Sequence, residues 1–244
     1  MRDYKLETEK RVAFIKEKLQ ESGCKGIVFG NSGGKDCALV GILCKKACAD
    51  TVGVIMPCES SVNFGSDMDD GNALADKFGI ETRIVDITAV KKAEMEALST
   101  ATTLNSIAIT NIAPRLRMTT LYAVSQSVNG RVVNTCNLSE DWVGYSTRYG
   151  DSVGDFSPMS NLTVTEVKEI GRVLGLPDEL VDKTPIDGLC GKTDEENLGF
   201  TYAELDRYIR TGEIDDLEKK ARIDRLHKMN LFKLQMMPGF KPEI

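Results

Sequence analysis

Apolar residues near the start of the chain recur at helical spacing (Leu6, Val12, Phe14, Ile15, Leu19), and Gly23 sits where such a helix stops. Gly26-Ile-Val-Phe-Gly30 is a short unbroken apolar run and predicts a buried strand. Helical spacing returns over Lys35 to Cys48, and Thr51-Val-Gly-Val-Ile-Met56 predicts a second strand. Ser66 to Phe78 reads as a helix, with Ser66, Asp67, Asp69 and Asp70 suited to its N-terminal end. Glu81-Thr-Arg-Ile-Val85 is a third strand, and Ile87 to Leu98 and Ile107 to Val128 are helices. Arg131-Val-Val-Asn-Thr135 is a fourth strand ending at Thr135. Helices follow near Thr163 to Leu174, Tyr202 to Ile209 and Asp215 to Met229.

Strands alternating with helices predict a doubly wound α/β fold, a parallel sheet with helices on both faces. No repeat, low-complexity tract or dividing linker interrupts residues 1–244, so a single domain is expected. In such sheets ligands bind beyond the carboxyl ends of the strands.

Composition narrows the class. Hydrophobic residues at 41% and charged residues at 28% suit a soluble globular chain of 244 residues. A formal net charge of -6 argues against broad nucleic-acid binding, which needs a basic face. No apolar stretch approaches the roughly 20 residues of a membrane span, and the N-terminus carries no secretory segment. Seven cysteines, an odd count without framework spacing, point to reduced thiols and a cytoplasmic address. Cys44 and Cys48 share a helix face. A metal pair and half-buried core cysteines both fit, and the absence of a second pair favours the core.

The most specific segment is Gly30-Asn31-Ser32-Gly33-Gly34-Lys35-Asp36-Cys37, between the first strand and the next helix. Its glycines let the backbone approach a phosphate, and the helix start offers amide donors and a favourable dipole. Ser32 adds a hydroxyl donor, Lys35 adds charge, and Asp36 is placed to hold a metal bound to phosphates. The spacing is neither that of a Walker loop nor of the dinucleotide fingerprint. At the carboxyl end of the fourth strand, Glu140 can join Asp36 around Mg²⁺; the competing reading is charge complementarity at a helix start. Arg115, Arg148 and Lys228 offer positive charge, and Asp151 and Asp155 offer acceptors in a loop that is also rich in turn residues.

The loop resembles the Ser-Gly-Gly-x-Asp-Ser/Thr loop of the ATP pyrophosphatase superfamily, which implies an adenine nucleotide alpha hydrolase-like fold and cleavage of ATP between its α and β phosphates. Three later segments resemble the ammonia-dependent NAD synthetase family within it. They are Asn137-Leu-Ser-Glu140-Asp-Trp-Val-Gly144-Tyr-Ser-Thr-Arg148-Tyr-Gly-Asp151-Ser-Val-Gly-Asp155, Thr193-Asp-Glu-Glu-Asn-Leu-Gly-Phe-Thr-Tyr202, and the pair His227-Lys228. With Asn111-Ile-Ala-Pro-Arg115-Leu-Arg117-Met, the resemblance runs over nearly the whole chain.

This resemblance implies an ATP site formed by residues 30–37 with Thr135, in which Ser32 and Asp36 act on the reacting phosphates and Asp36 and Glu140 hold Mg²⁺. It implies a deamido-NAD site of Arg115, Arg148, Asp151, Asp155, His227 and Lys228. The chain departs from the family pattern in three places. Cys37 replaces the last loop hydroxyl. Val164 lies where the family has an ATP-contacting Lys, with Lys168 one helical turn on as a substitute. Ile186 lies where a Ser or Thr is usual, with Thr184 two residues earlier.

The reaction implied is amidation of deamido-NAD by ammonia through an acyl-adenylate, giving NAD, AMP and pyrophosphate. Ammonium rather than glutamine is expected as nitrogen donor, since Cys24, the one cysteine before the loop, has no histidine near it in sequence. A homodimer is expected from the resemblance and from the apolar Ile107 to Val128 stretch, which core packing alone also explains. Two other readings compete: a tRNA thiolase, which wants cysteine pairs or a basic extension that the sequence does not display, and a nucleotide-binding regulatory protein, which Cys37, Val164 and Ile186 would suit but Asp36 and Glu140 argue against.

Overall fold

The computed structural model describes residues 2–183 and 193–240. Thr184 and Ile186 lie outside them. The first half runs α1 (Tyr4–Ser22), β1 (Gly26–Gly30), α2 (Lys35–Ala47), β2 (Thr51–Ile55), α3 (Ser61–Phe64), α4 (Ser66–Phe78) and β3 (Glu81–Ile84). Then come α5 (Thr88–Ser99), α6 (Ser106–Ser127), β4 (Gly130–Val132), α7 (Leu138–Val143), α8 (Val164–Val173) and α9 (Asp178–Val181). The last elements are α10 (Asp194–Leu198), α11 (Tyr202–Thr211), α12 (Leu217–Asn230) and a 3₁₀ turn at Leu231–Lys233.

The four strands form a parallel sheet of order β3-β2-β1-β4. Strand side chains alternate between faces, and β1 shows what this does. Ile27 and Phe29 pack with Ile15, Leu39, Leu43 and Ile170 of α1, α2 and α8. Val28 faces the other way, with Val52, Val54, Ile87 and Ala113, and against Leu116, Leu121 and Val124 of α6. Each such side chain, fully buried, contributes roughly 1.5–3 kcal/mol. A third apolar cluster, with Val143, Val164, Leu198, Leu205 and Ile223, ties α7 and α8 to α10, α11 and α12.

From β1 the chain winds outward through β2 to β3, then returns behind the sheet through α5 and α6 to place β4 on the other side of β1. The loops leaving β1 and β4 therefore part company, and a crevice opens between them at the carboxyl edge.

Two expectations need correction. The fourth strand ends at Val132, not Thr135: Val133 makes only an isolated bridge to Phe156. Asn134 turns the chain away, its amide donating to the Asp151 carbonyl at 3.0 Å while its oxygen accepts from Cys136 N. In addition, the structure forms the short helices α3, α7, α9 and α10 outside the helices and strands that the sequence pattern predicts. Cys44 is buried, and the Cys48 thiol donates to the Lys25 carbonyl at 3.2 Å, so the core reading of this pair holds. No helix among the described residues is long and apolar enough to cross a membrane.

Candidate active site

The loop between β1 and α2 is held in shape by Asn31. Its buried side chain donates to the Gly71 carbonyl at 3.0 Å and accepts from Gly33 N at 3.2 Å. Asn31 therefore shapes the loop, and its amide is already committed. Gly33 sits at φ +77, and a Cβ there would lie 2.2 Å from the Asp67 carbonyl oxygen. Glycine is required at this point by both conformation and space. Ser32 is exposed at the loop tip, with its hydroxyl 3.2 Å from the Cys37 thiol. Burial pushes the Cys37 thiol up, so it is a neutral, weak partner in the position of a hydroxyl. Thr135 also reaches this thiol, which joins the two loops.

Across the crevice, α7 starts with a reciprocal cap. Glu140 N donates to Asn137 Oδ1 at 3.1 Å and Asn137 N donates to Glu140 Oε2 at 3.3 Å. The helix-start reading of Glu140 is therefore observed, and the same carboxylate lies close enough to Asp36 and Lys35 of the loop to feel their charges. The Asn137 amide donates to Asp36 Oδ1 at 3.0 Å, locking the two loops together. Burial, then the nearby Asp36, push the Glu140 carboxyl well above the usual carboxylate range. Lys35 lies in the same cluster, only 6% exposed, with Nζ 3.2 Å from Asp36 Oδ2. Burial works against its charge, but Asp36, Glu140 and Asp194 outweigh burial and raise its pKa. Asp194 from α10 is buried, and the Tyr202 hydroxyl donates to it at 3.4 Å.

A site for a hard cation fits here, since Asp36 and Glu140 offer carboxylate oxygens from two sides. Among the described residues no three or more His, Cys, Asp or Glu side chains converge as a self-contained metal centre. Two protein carboxylates suit Mg²⁺, which keeps waters and takes phosphate oxygens for the rest.

The loop after α7 brings several of the expected dinucleotide contacts together. Thr147 Oγ1 donates to Asn111 Oδ1 on α6 at 2.7 Å, and Arg115 Nε donates to the Arg148 carbonyl at 3.3 Å. The Arg148 guanidinium lies 4.9 Å from the Tyr149 ring centre and 5.1 Å from that of Phe232. His227 stacks on Trp142 at 4.1 Å, and its Nδ1 is 2.9 Å from the Trp142 carbonyl. A carbonyl only accepts, so Nδ1 carries a proton, and in the neutral ring Nε2 is the acceptor. The Asp151 carboxylate accepts from Thr147 N at 2.7 Å.

Sequence reasoning missed two groups here. Arg117, within the apolar α6 pattern, donates to the Met56 carbonyl at 3.1 Å, and burial lowers its pKa against the pull of Cys58 and Asp151. Burial and the neighbouring Asp151 push Asp141 up to about 6. Both lie inside segments that resemble the family, and that resemblance is the signal that could have found them.

A sequence profile described as NAD synthase matches residues 7–243. The chain belongs to the NAD synthase family. The NH3-dependent NAD+ synthetase of Carboxydothermus hydrogenoformans is 37% identical over 243 residues, covering 96% of this chain and 99% of that protein. The solved NMN synthetase of Francisella tularensis superposes with a TM-score of 0.91 at 30% identity, with 100% of each chain covered. The NH3-dependent NAD synthetase of Campylobacter jejuni gives a TM-score of 0.84 at 28% identity, covering 98% of this chain and 100% of that one.

Within an NAD synthase framework the remaining expected residues fall elsewhere. Lys168 pairs with Asp182 at 3.4 Å, and no described contact brings it to the phosphate loop. Val164 is buried in the cluster between α7, α8 and α11. One Asp155 oxygen accepts from Val132 N at 2.8 Å, a structural duty at the edge of β4. Lys228 is exposed on α12.

Proposed function

We propose that the crevice binds ATP with its triphosphate along Ser32, Gly33 and Gly34, and that the chain amidates the nicotinate carboxylate of deamido-NAD with ammonia. The observation that supports this reading is the bond from the Asn137 amide to Asp36, which joins the helix start that carries Glu140 to the phosphate loop. A carboxylate cannot expel oxide, so its oxygen first attacks the α-phosphate of ATP and pyrophosphate leaves. Ammonia then adds to the acyl-adenylate carbonyl, loses a proton, and displaces AMP. Asp36 and Glu140 would hold Mg²⁺, which when bound offsets charge on the phosphate oxygens. The chain's own part is positioning: loop amides and the Ser32 hydroxyl receive the phosphates, and Arg117 supplies a fixed positive charge beside Asp151. Arg115 and Arg148 offer charge for the substrate phosphates, and the acceptors Asp151 and His227 line the same loop.

The Francisella tularensis neighbour favours a second acceptor, nicotinic acid mononucleotide, since it superposes at full coverage of both chains. One experiment tests both acceptors and the nitrogen source. AMP, pyrophosphate and amide product are measured with ATP and Mg²⁺, either acceptor, and either ammonium or ammonia-free glutamine. Ammonium-dependent NAD formation from deamido-NAD is expected. Faster amidation of the mononucleotide would transfer the assignment to the second acceptor. Glutamine matching ammonium, with stoichiometric glutamate, would reveal a second active site; none is expected, because the chain's single histidine is engaged by Trp142.

A homodimer is also proposed. Leu116, Leu121 and Val124 of α6 pack on the sheet, which leaves the exposed Ile107 to extend an apolar surface. Light scattering at micromolar concentration checks this, and a monomer would exclude it.

A further inference from the structure

Lys35 occupies a position that is electrostatically unfavourable twice over. It is the first residue of α2, where the helix dipole repels a cation. It is also only 6% exposed, and a buried ammonium is costly unless paired. Its compensation comes first from Asp36 of α2, 3.2 Å away, and then from the charges of Glu140 of α7 and Asp194 of α10. The sequence suggests a lysine reaching for phosphate. The structure instead turns it into the carboxylate cluster.

We infer that Lys35 is a resident counter-cation that holds the Asp36–Glu140 site closed to divalent metal until ATP arrives. This rests on the proposal that these two carboxylates are the metal ligands. Lys35 cancels one unit of whatever negative charge these carboxylates carry, beginning with that of Asp36. Its ammonium also lies 3.2 Å from Asp36 Oδ2, one of the oxygens a metal would use. Repulsion between two cations in a poorly screened site weakens metal binding to the empty protein. The triphosphate brings several negative charges of its own, so metal and nucleotide enter together. Lys35 is thus a positioning residue that couples metal binding to nucleotide binding.

The test uses the full chain without nucleotide, with Mn²⁺ as a paramagnetic stand-in for Mg²⁺ and free Mn²⁺ read by electron paramagnetic resonance. Lys35→Met and Lys35→Gln both remove the charge. Each is expected to bind Mn²⁺ roughly tenfold tighter or more than the wild type, in line with loss of one like charge at close range. Each is also expected to melt at a lower temperature, with the loss restored by Mn²⁺. Unchanged or weaker Mn²⁺ binding by either folded variant overturns the inference, and is the outcome expected of a lysine that merely contacts phosphate. Loss of the fold in both variants that Mn²⁺ does not reverse overturns it as well, because the ammonium would then serve packing. The double variant Lys35→Met/Asp36→Asn separates the two claims. If it retains the tight Mn²⁺ binding of Lys35→Met, the ligand assignment itself fails.

Discussion

Asp36→Asn is expected to lower the turnover number by roughly a thousandfold, about 4 kcal/mol of transition-state stabilisation and within the range of metal-assisted charge neutralisation. The replacement keeps an oxygen to accept from the Asn137 amide, so the bond between the two loops survives. What it removes is an anionic oxygen facing the phosphates and the nearest partner of the buried Lys35. The fold is therefore expected to persist while chemistry collapses. Pyrophosphate release measured across a Mg²⁺ titration, alongside thermal unfolding, separates the two. Near-normal turnover at millimolar Mg²⁺ would refute the assignment.

Gly33→Ala is expected to act on the fold as well as on ATP binding. A left-handed backbone costs alanine roughly 1–2 kcal/mol. The added methyl would sit 2.2 Å from the carbonyl oxygen of Asp67, a backbone atom in the first turn of α4. Either that helix start or the loop has to move, and the total is on the order of 4 kcal/mol, as for other strained or overpacked sites. For a chain of this length that corresponds to a melting temperature roughly 10 °C lower. Calorimetry with and without ATP checks it. A variant with the wild-type melting temperature and nucleotide-dependent stabilisation would show that the loop has room the geometry denies.

The legible parts of the fold were those where one period runs long enough to count. Ile27, Val28 and Phe29 are an unbroken apolar run because both faces of β1 are covered, and the long helices announced themselves through their apolar stripes. Four-, five- and six-residue helices such as α9, α10 and α7 span under two turns, too few for a stripe to emerge. Their caps are local and specific, as at Asn137 and Glu140, yet Asn and Glu three apart also occur in loops. The end of β4 was overrun because Val133 and Thr135 still look like strand. What stops the strand is side-chain bonding to residues about twenty positions later, through Asn134 and Asp155.

The site divides in the same way. Ser32, Gly33 and Asp36 were readable because their spacing serves a local turn. Asn31 was counted as a ligand contact; the structure adds that its amide donates to Gly71 of α4 while its oxygen accepts from Gly33 N. The sequence reads Lys35 as charge for the phosphates, whereas its buried ammonium meets the Asp36 carboxylate. Its burial is made tolerable by Asp36 next to it and by Glu140 and Asp194 arriving from remote segments. Arg117 was hidden for the converse reason: its partner is the carbonyl of Met56, and backbone acceptors leave no trace in side-chain patterns.

The rear of α7 is fastened by residues far along the chain. His227 meets the carbonyl of Trp142, the Asn230 amide donates to that of Val143, and Lys233 Nζ donates to those of Gly144 and Ser146 at 2.7 and 2.9 Å. These partners are 85 to 89 residues apart in sequence. A closure of that span is entropically slow compared with the hairpin-scale steps that build helices and adjacent strands. The sheet and its first phosphate loop can therefore form early, while the segment carrying Glu140 gains its rear fastening only after α12 has docked. During biosynthesis a half-made chain would possess the nucleotide cradle without its opposing carboxylate, so catalytic competence is the last property the folding molecule acquires.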